Sequence, residues 1–331
     1  MQPDLQNHAG RRMMFVTKEE RQAERAAIRE EKKIVRSANK KHRNAIAFTL
    51  FLAPATLAFL VFVVWPVLYN IYLSFLEWNM VSPDKEYIGF ANYLKIFTDA
   101  PFLQSLRNSG VYILILLISC MIFPYFISFA MVHLVDKGQQ VYRSILFFPS
   151  LVSLAVCSVV MSFVFNFMTG PVNALLKSVG IRGPNWLNTG GYILFVIGMV
   201  ATWKIFGYNL IIFLAAILEV PVELIEAAKL EKASKFKIFW RIIFPLTSST
   251  AFYVFVITFS HALSYVFTPI SVITAGGPNY KSTNVVYQIY EYAFKNFQSG
   301  RAAAAAIFTL ILVLFVVILY QALEKKVHYE N

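Results

Sequence analysis

Apolar residues in this chain gather into six blocks, near 45 to 76, 108 to 134, 144 to 168, 191 to 218, 247 to 268 and 302 to 323, separated by polar connections. Each block is about twenty residues or longer, the length at which an α-helix crosses the hydrocarbon of a bilayer. The pattern predicts an all-α integral membrane protein with six transmembrane helices. The first block is overlong and contains Pro54 and Pro66, which predicts a kink or an extra turn past Trp65. Interruptions are also expected at Pro124, Pro149 and Gly207, where polar backbone can line a cavity without facing lipid.

Charge sets the expected orientation. The net charge of +12 does not point to nucleic acid, because almost half of the Lys and Arg precede residue 45 and no globular domain is long enough to present them. With the N-terminus inside, the cytoplasmic segments hold twenty-one Lys or Arg: twelve before the first block, Lys137 and Arg143, five from Lys229 to Arg241, and Lys325 with Lys326. The opposite loops hold eight, so the positive-inside rule places both ends in the cytoplasm. Trp65 and Trp78 are expected to mark the outer interface.

The expected organisation is a basic cytoplasmic tail (1–44), a membrane domain (45–323) containing a cytoplasmic connection (219–246), and a short cytoplasmic tail (324–331). Thr17 and Glu20 have capping-box spacing, so the basic tail is expected to be partly helical. Arg21, Arg25, Arg29 and Lys33 would then form one row, either against anionic head groups or simply in solvent. The first block is too long for a cleaved signal peptide, and Met13-Met14 leaves the start of translation open. Cys120 and Cys157 both fall inside apolar blocks, which favours two small core residues over a disulfide or a metal site.

The 219–246 connection carries the most specific pattern in the chain. Glu226-Ala227-Ala228 is followed at fixed distances by Lys232, Ile242, Phe244 and Pro245. This order and spacing resembles the cytoplasmic coupling loop of permeases of ATP-binding-cassette (ABC) importers, with Lys232 standing at a glycine position and Phe244 at a leucine position. The resemblance implies a type I importer permease architecture. Glu226, Ala227, Ala228, Lys232, Ala233 and Pro245 would then form a helix and bend that dock on a cytoplasmic ATPase. If the glycine position needs a positive φ, a lysine there costs roughly 1 kcal/mol.

Other segments extend the likeness over nearly the whole chain after residue 46. Gly89-Phe90-Ala91-Asn92-Tyr93, Leu106-Arg107-Asn108, Phe148-Pro149-Ser150, Trp203-Lys204, Gly276-Gly277-Pro278 and the closing residues 324–329 resemble the carbohydrate-uptake branch of these permeases, near the sugar and glycerol-3-phosphate systems. The family implies a second, homologous permease, two cytoplasmic ATPases and an extracytoplasmic solute-binding protein as partners. It also implies a bacterial inner-membrane location. ATP and Mg would be bound by the ATPases, with no cofactor in this chain, which has no phosphate-binding Gly-x-x-x-x-Gly-Lys-Ser/Thr loop.

Polar residues at mid-span depth are the candidates for solute contact, since ionisable groups in lipid are expensive. The set includes Ser153, Asn166, Trp203, Tyr208, Asn209 and Ser260. By resemblance to the larger maltose-system permease, Ser150, Lys204, Thr258 and Tyr265 fall at solute-contacting positions, and His261 is added as an intramembrane histidine. Each has a plainer alternative: Lys204 can pair with a neighbouring carbonyl, His261 can pack inside the bundle, and Ser or Thr can bond their own helix.

Two rival classes are disfavoured. A self-contained secondary transporter is expected to show an internal repeat or intramembrane carboxylates for ion coupling, and neither is evident. An intramembrane hydrolase is suggested only by adjacent Ser260 and His261, which point about 100° apart on a helix and cannot share a proton.

Overall fold

The computed structural model describes residue 30, residues 48–134 and residues 138–329, with backbone alone for 323–329. The basic tail with its expected capping box and cationic row, and Lys137, lie outside the described residues. The described residues up to Leu68 and those from Tyr69 onward form two compact units.

Helix α1 runs Phe48–Ser74. In the second unit a short antiparallel hairpin, β1 (Leu76–Glu77) and β2 (Glu86–Tyr87), pairs Leu76 with Tyr87. Helix α2 (Ala91–Thr98) follows and leads into α3 (Ala100–His133). Helix α3 begins eight residues before the apolar block because Asp99 caps it, accepting from the Phe102 N–H at 3.3 Å, and a proline sits in its first turn. Those early turns are buried at Phe102, Ser105 and Asn108, so polarity there reflects packing against a loop rather than solvent.

The third apolar block is not one straight span. Helices α4 (Gln139–Leu151) and α5 (Leu154–Val164) meet at 100°. Pro149 lies in a closing 3-10 turn, Val152 and Ser153 are extended, and Ser153 caps α5 by accepting from the Val156 N–H at 3.3 Å. After the short α6 (Pro171–Ser178), α7 (Tyr192–Leu218) is the central helix, with 56% of its most apolar window buried. The expected interruption at Gly207 is absent, since α7 runs through it unbroken. Gly207 instead permits close contact: a Cβ there would lie 2.2 Å from the Leu146 carbonyl oxygen at the end of α4.

Helix α8 (Val222–Leu230) and a helical stretch at 235–246, α9, form the connection to α10 (Ser248–Thr274). Helix α11 (Val285–Tyr290) and α12 (Ser299–Tyr329) complete the chain. Among the described residues five helices are long and apolar enough to cross a membrane, and the bent α4–α5 pair supplies a sixth crossing if counted as one span.

Three prolines follow a common rule. Pro66, Pro124 and Pro245 each stand two residues beyond a π-helical turn, at Leu60–Val64, Ile118–Ile122 and Phe239–Ile243 respectively. A proline lacks an N–H and its ring crowds the carbonyl four residues earlier. Widening the preceding turn relieves that clash without breaking the helix.

Helices α3, α7, α10 and α11 share one core, including Tyr112, Leu116, Ile197, Ile205, Ala262 and Tyr287. A second core joins the 219–246 connection to the spans through Tyr125, Phe213, Ile217, Ile225, Phe239 and Ile243.

Candidate functional site

The sharp turn at the end of α4 faces the middle of α7 and one face of α10, and a cavity of 380 Å³ lies among them. Its lining is Phe147 and Ser150 from α4, Lys204, Ile205 and Tyr208 from α7, and Ile257, Ser260, His261 and Tyr265 from α10. Helical spacing explains the set. Lys204 and Tyr208 are four residues apart, as are Ile257, His261 and Tyr265, so each group forms a row on one face.

Lys204 occupies the centre of this arrangement. It stands near the middle of the 27-residue α7, about 20 Å from either end at 1.5 Å per residue. Its ammonium donates to the Ser150 carbonyl and, at 2.7 Å, to the Val152 carbonyl. These carbonyls belong to the break between α4 and α5, where helix geometry leaves them without intrahelical partners. Lys204 therefore fastens the 100° turn to the central helix, so the neighbouring-carbonyl alternative is realised without removing the residue from the cavity.

Two buried polar atoms at the cavity have no hydrogen-bond partner among the described residues, Ser150 Oγ and His261 Nδ1. The His261 ring stacks on Tyr265 with centroids 4.2 Å apart and planes within 10°. Six other buried side-chain polar atoms among the described residues are likewise without a partner, so these two do not by themselves set the cavity apart.

Of the five residues singled out for the solute path, Ser150, Lys204, His261 and Tyr265 line this cavity. Thr258 does not. It lies with Val254 and Ala262 on the buried row of α10, and its hydroxyl accepts from the Asn209 amide at 2.9 Å. From the wider polar set, Tyr208 and Ser260 join the cavity, whereas Asn209 packs inside and Ser153 and Asn166 serve local turns. Phe147, Ile205 and Ile257 were not anticipated, because apolar residues in a span carry no signal of their own. Their four-residue spacing from polar members is the trace that identifies Ile257.

The 219–246 connection has its own geometry. Glu226 and Ala227 are exposed on α8, Ala228 is half-buried, and Ile225 one residue before Glu226 anchors the helix in the core. Helix α8 ends with Lys232 at φ 55°. The Lys232 N–H donates to the Lys229 carbonyl and the Ala233 N–H to the Ala228 carbonyl, both at 2.9 Å. This pair of bonds is a Schellman closure, in which the left-handed residue is normally glycine. Lys232 thus retains the left-handed backbone expected at the glycine position. Ser234 then starts α9, accepting from the Lys237 N–H at 3.2 Å, and Pro245 follows its π turn as the chain enters α10.

This architecture, with the motif on a bent connection between the two most deeply shared spans, has a match among known families. The model described as binding-protein-dependent transport system inner membrane component covers residues 127–329. The chain belongs to that family. It is a multi-pass inner-membrane permease subunit of an ABC importer.

Relatives of the permease include the probable ABC transporter permease protein YurN of Bacillus subtilis, 34% identical over 82% of this chain and 94% of YurN. The sn-glycerol-3-phosphate transport system permease protein UgpA of Rhizobium meliloti is 30% identical over 86% of this chain and 97% of its own. Two solved structures of bacterial alginate ABC transporters share the fold. They match with TM-scores of 0.74 and 0.76 at 22% and 21% identity, over 88% and 87% of this chain and 99% and 97% of theirs. The second of these is in complex with a periplasmic protein carrying an alginate pentasaccharide.

Proposed function

We propose that this permease, together with a second homologous permease, forms the path for a carbohydrate or polyol phosphate delivered by an extracytoplasmic binding protein, with the cavity at Lys204 on that path. The observation that carries the reading is the meeting of Lys204, Ser150 and His261 around one mid-span space. The glycerol-3-phosphate and alginate named for relatives are both polyhydroxylated, and a cavity with hydroxyl, imidazole and aromatic groups suits such solutes.

Two cytoplasmic ATPases, which would bind the ATP and Mg, dock on the 219–246 connection in this reading. Leu230 and Phe236 flank the bend with 85% and 70% of their surfaces exposed, apolar area that a water-facing loop would otherwise cover. Glu226 forms no salt bridge among the described residues and is free to meet a basic residue of the ATPase. Closure of the ATPases on ATP would then move α8, and the core it shares with α3, α7 and α10 would carry the movement to the cavity.

Reconstitution of the complete importer tests this. Glu226→Ala should lower ATP-driven uptake at least about tenfold, the cost of one lost charge-assisted contact at an interface. Uptake equal to that of the parent would remove the docking role from α8.

A further inference from the structure

The charge around Lys204 is unbalanced. No Asp or Glu lies within any of the described spans, so this mid-span ammonium has no carboxylate partner on α3, α4, α5, α7 or α10. The two carbonyls it bonds supply dipoles without supplying a net charge. An ammonium carries three donors, and only two are accounted for here. Lys204 is half-buried, and an intramembrane cation that faces a cavity without a counter-ion leaves a positive potential there for a solute to meet.

We infer that the solute supplies the missing charge: the cavity takes a carbohydrate or polyol bearing an anionic group, a carboxylate or a phosphate, and Lys204 is the residue that reads it. This rests on the proposal that the cavity lies on the solute path. The third N–H of Lys204 is the donor for the anion, so the solute can be recognised without surrendering the bonds that hold the α4–α5 turn. Ser260, Tyr208 and the stacked His261–Tyr265 rings line the remainder of the cavity, where the hydroxylated part of the solute would lie. A carboxylate from the second permease would neutralise Lys204 equally well, and that is the competing outcome.

Cysteine labelling separates these cases. Ser260→Cys is introduced into the full importer in nanodiscs, where the native Cys120 and Cys157 are buried. Its reaction with an anionic and a cationic methanethiosulfonate of similar size is compared, each rate being scaled to that with free 2-mercaptoethanol. An unpaired Lys204 predicts at least about a tenfold preference for the anionic reagent, as expected of focused positive potential, and its disappearance in Lys204→Met but not in Lys204→Arg. Galacturonate should slow the labelling more than galactose, or glycerol 3-phosphate more than glycerol, and the pair that discriminates tells carboxylate from phosphate. Equal rates for the two reagents, or a cationic preference, overturn the inference and indicate a counter-ion from the second permease. So does failure of both anions to protect at about 10 mM, a concentration that even a weak site would sense. Uptake after labelling reports on the cavity itself. A labelled importer that still transports removes the cavity from the path, whereas blocked transport with equal reagent rates removes only the anion.

Discussion

Asn209 on α7 donates its side-chain amide to the Cys120 carbonyl on α3 at 2.6 Å. That carbonyl lies four residues before Pro124, which has no N–H to offer it. The same amide reaches Thr258 Oγ1 at 2.9 Å, so one buried side chain joins three spans at the point where a proline disturbs one of them.

Replacing Asn209 by leucine should therefore destabilise the permease by about 1–2 kcal/mol, since interhelical hydrogen bonds are modest but an unsatisfied carbonyl adds to the loss. Thr258→Val should cost less, because it leaves the bond to Cys120 intact. Denaturant titration of the purified permease compares the two, and an equal or larger loss in Thr258→Val would contradict the assignment.

Lys232→Gly should stabilise α8 by about 1 kcal/mol, because the left-handed residue of a Schellman closure carries a steric penalty that glycine lacks. The expected result is a higher unfolding midpoint with ATP-driven uptake retained. A lower midpoint would show that the lysine side chain contributes more than its backbone strain removes.

Gly207→Val places side-chain atoms against the Leu146 carbonyl and the Phe147 Cα, which would lie 2.2 and 2.6 Å from the added Cβ. Backbone cannot yield as a flexible side chain does, so α4 must move off α7, at a cost of about 1–3 kcal/mol. Cross-linking between cysteines placed on α4 and α7 should weaken in this variant, and unchanged cross-linking would refute the contact.

Stability should fall in alkali through Tyr292, which lies between α11 and α12, outside the spans. Burial raises its pKa well above the ordinary tyrosine value, and the hydrogen bond its hydroxyl donates to Asp99 adds to the effect. The unfolded chain ionises first, near pH 10, so the stabilising contribution is intact below that pH and is lost as pH rises toward the folded-state value. Unfolding midpoints between about pH 8 and 11 should decline less steeply for Tyr292→Phe, which has no phenol to ionise. An identical slope in the variant would remove Tyr292 from the account.

The spans were legible because apolar runs of membrane length leave few alternatives, and the spacing from Glu226 to Pro245 was legible because both ends of the pattern are polar or conformationally restricted. The right-angled turn after Pro149 was less so. Proline and the capping Ser153 mark an interruption, but nothing in the local sequence gives its angle, and the ammonium that bonds its carbonyls comes from Lys204, about fifty residues away. Thr258 and His261 show a similar limit. Both are polar residues on one helix, and only the packing of α10 against α7 decides that Thr258 faces Asn209 while His261 faces the cavity. Gly207 reads as an interruption in sequence, yet its missing side chain serves a neighbour rather than its own helix.

The most direct measurement is ATP-driven uptake of the importer's solute into proteoliposomes, with ATP hydrolysis followed in parallel, for the parent and for Ser260→Trp. A tryptophan there fills part of the 380 Å³ cavity without touching α8 or the bond network of Asn209. The account predicts that uptake falls by about 100-fold or more, as for loss of a binding site worth some 3 kcal/mol, while ATP hydrolysis persists. Uptake that matches the parent would place the solute path elsewhere.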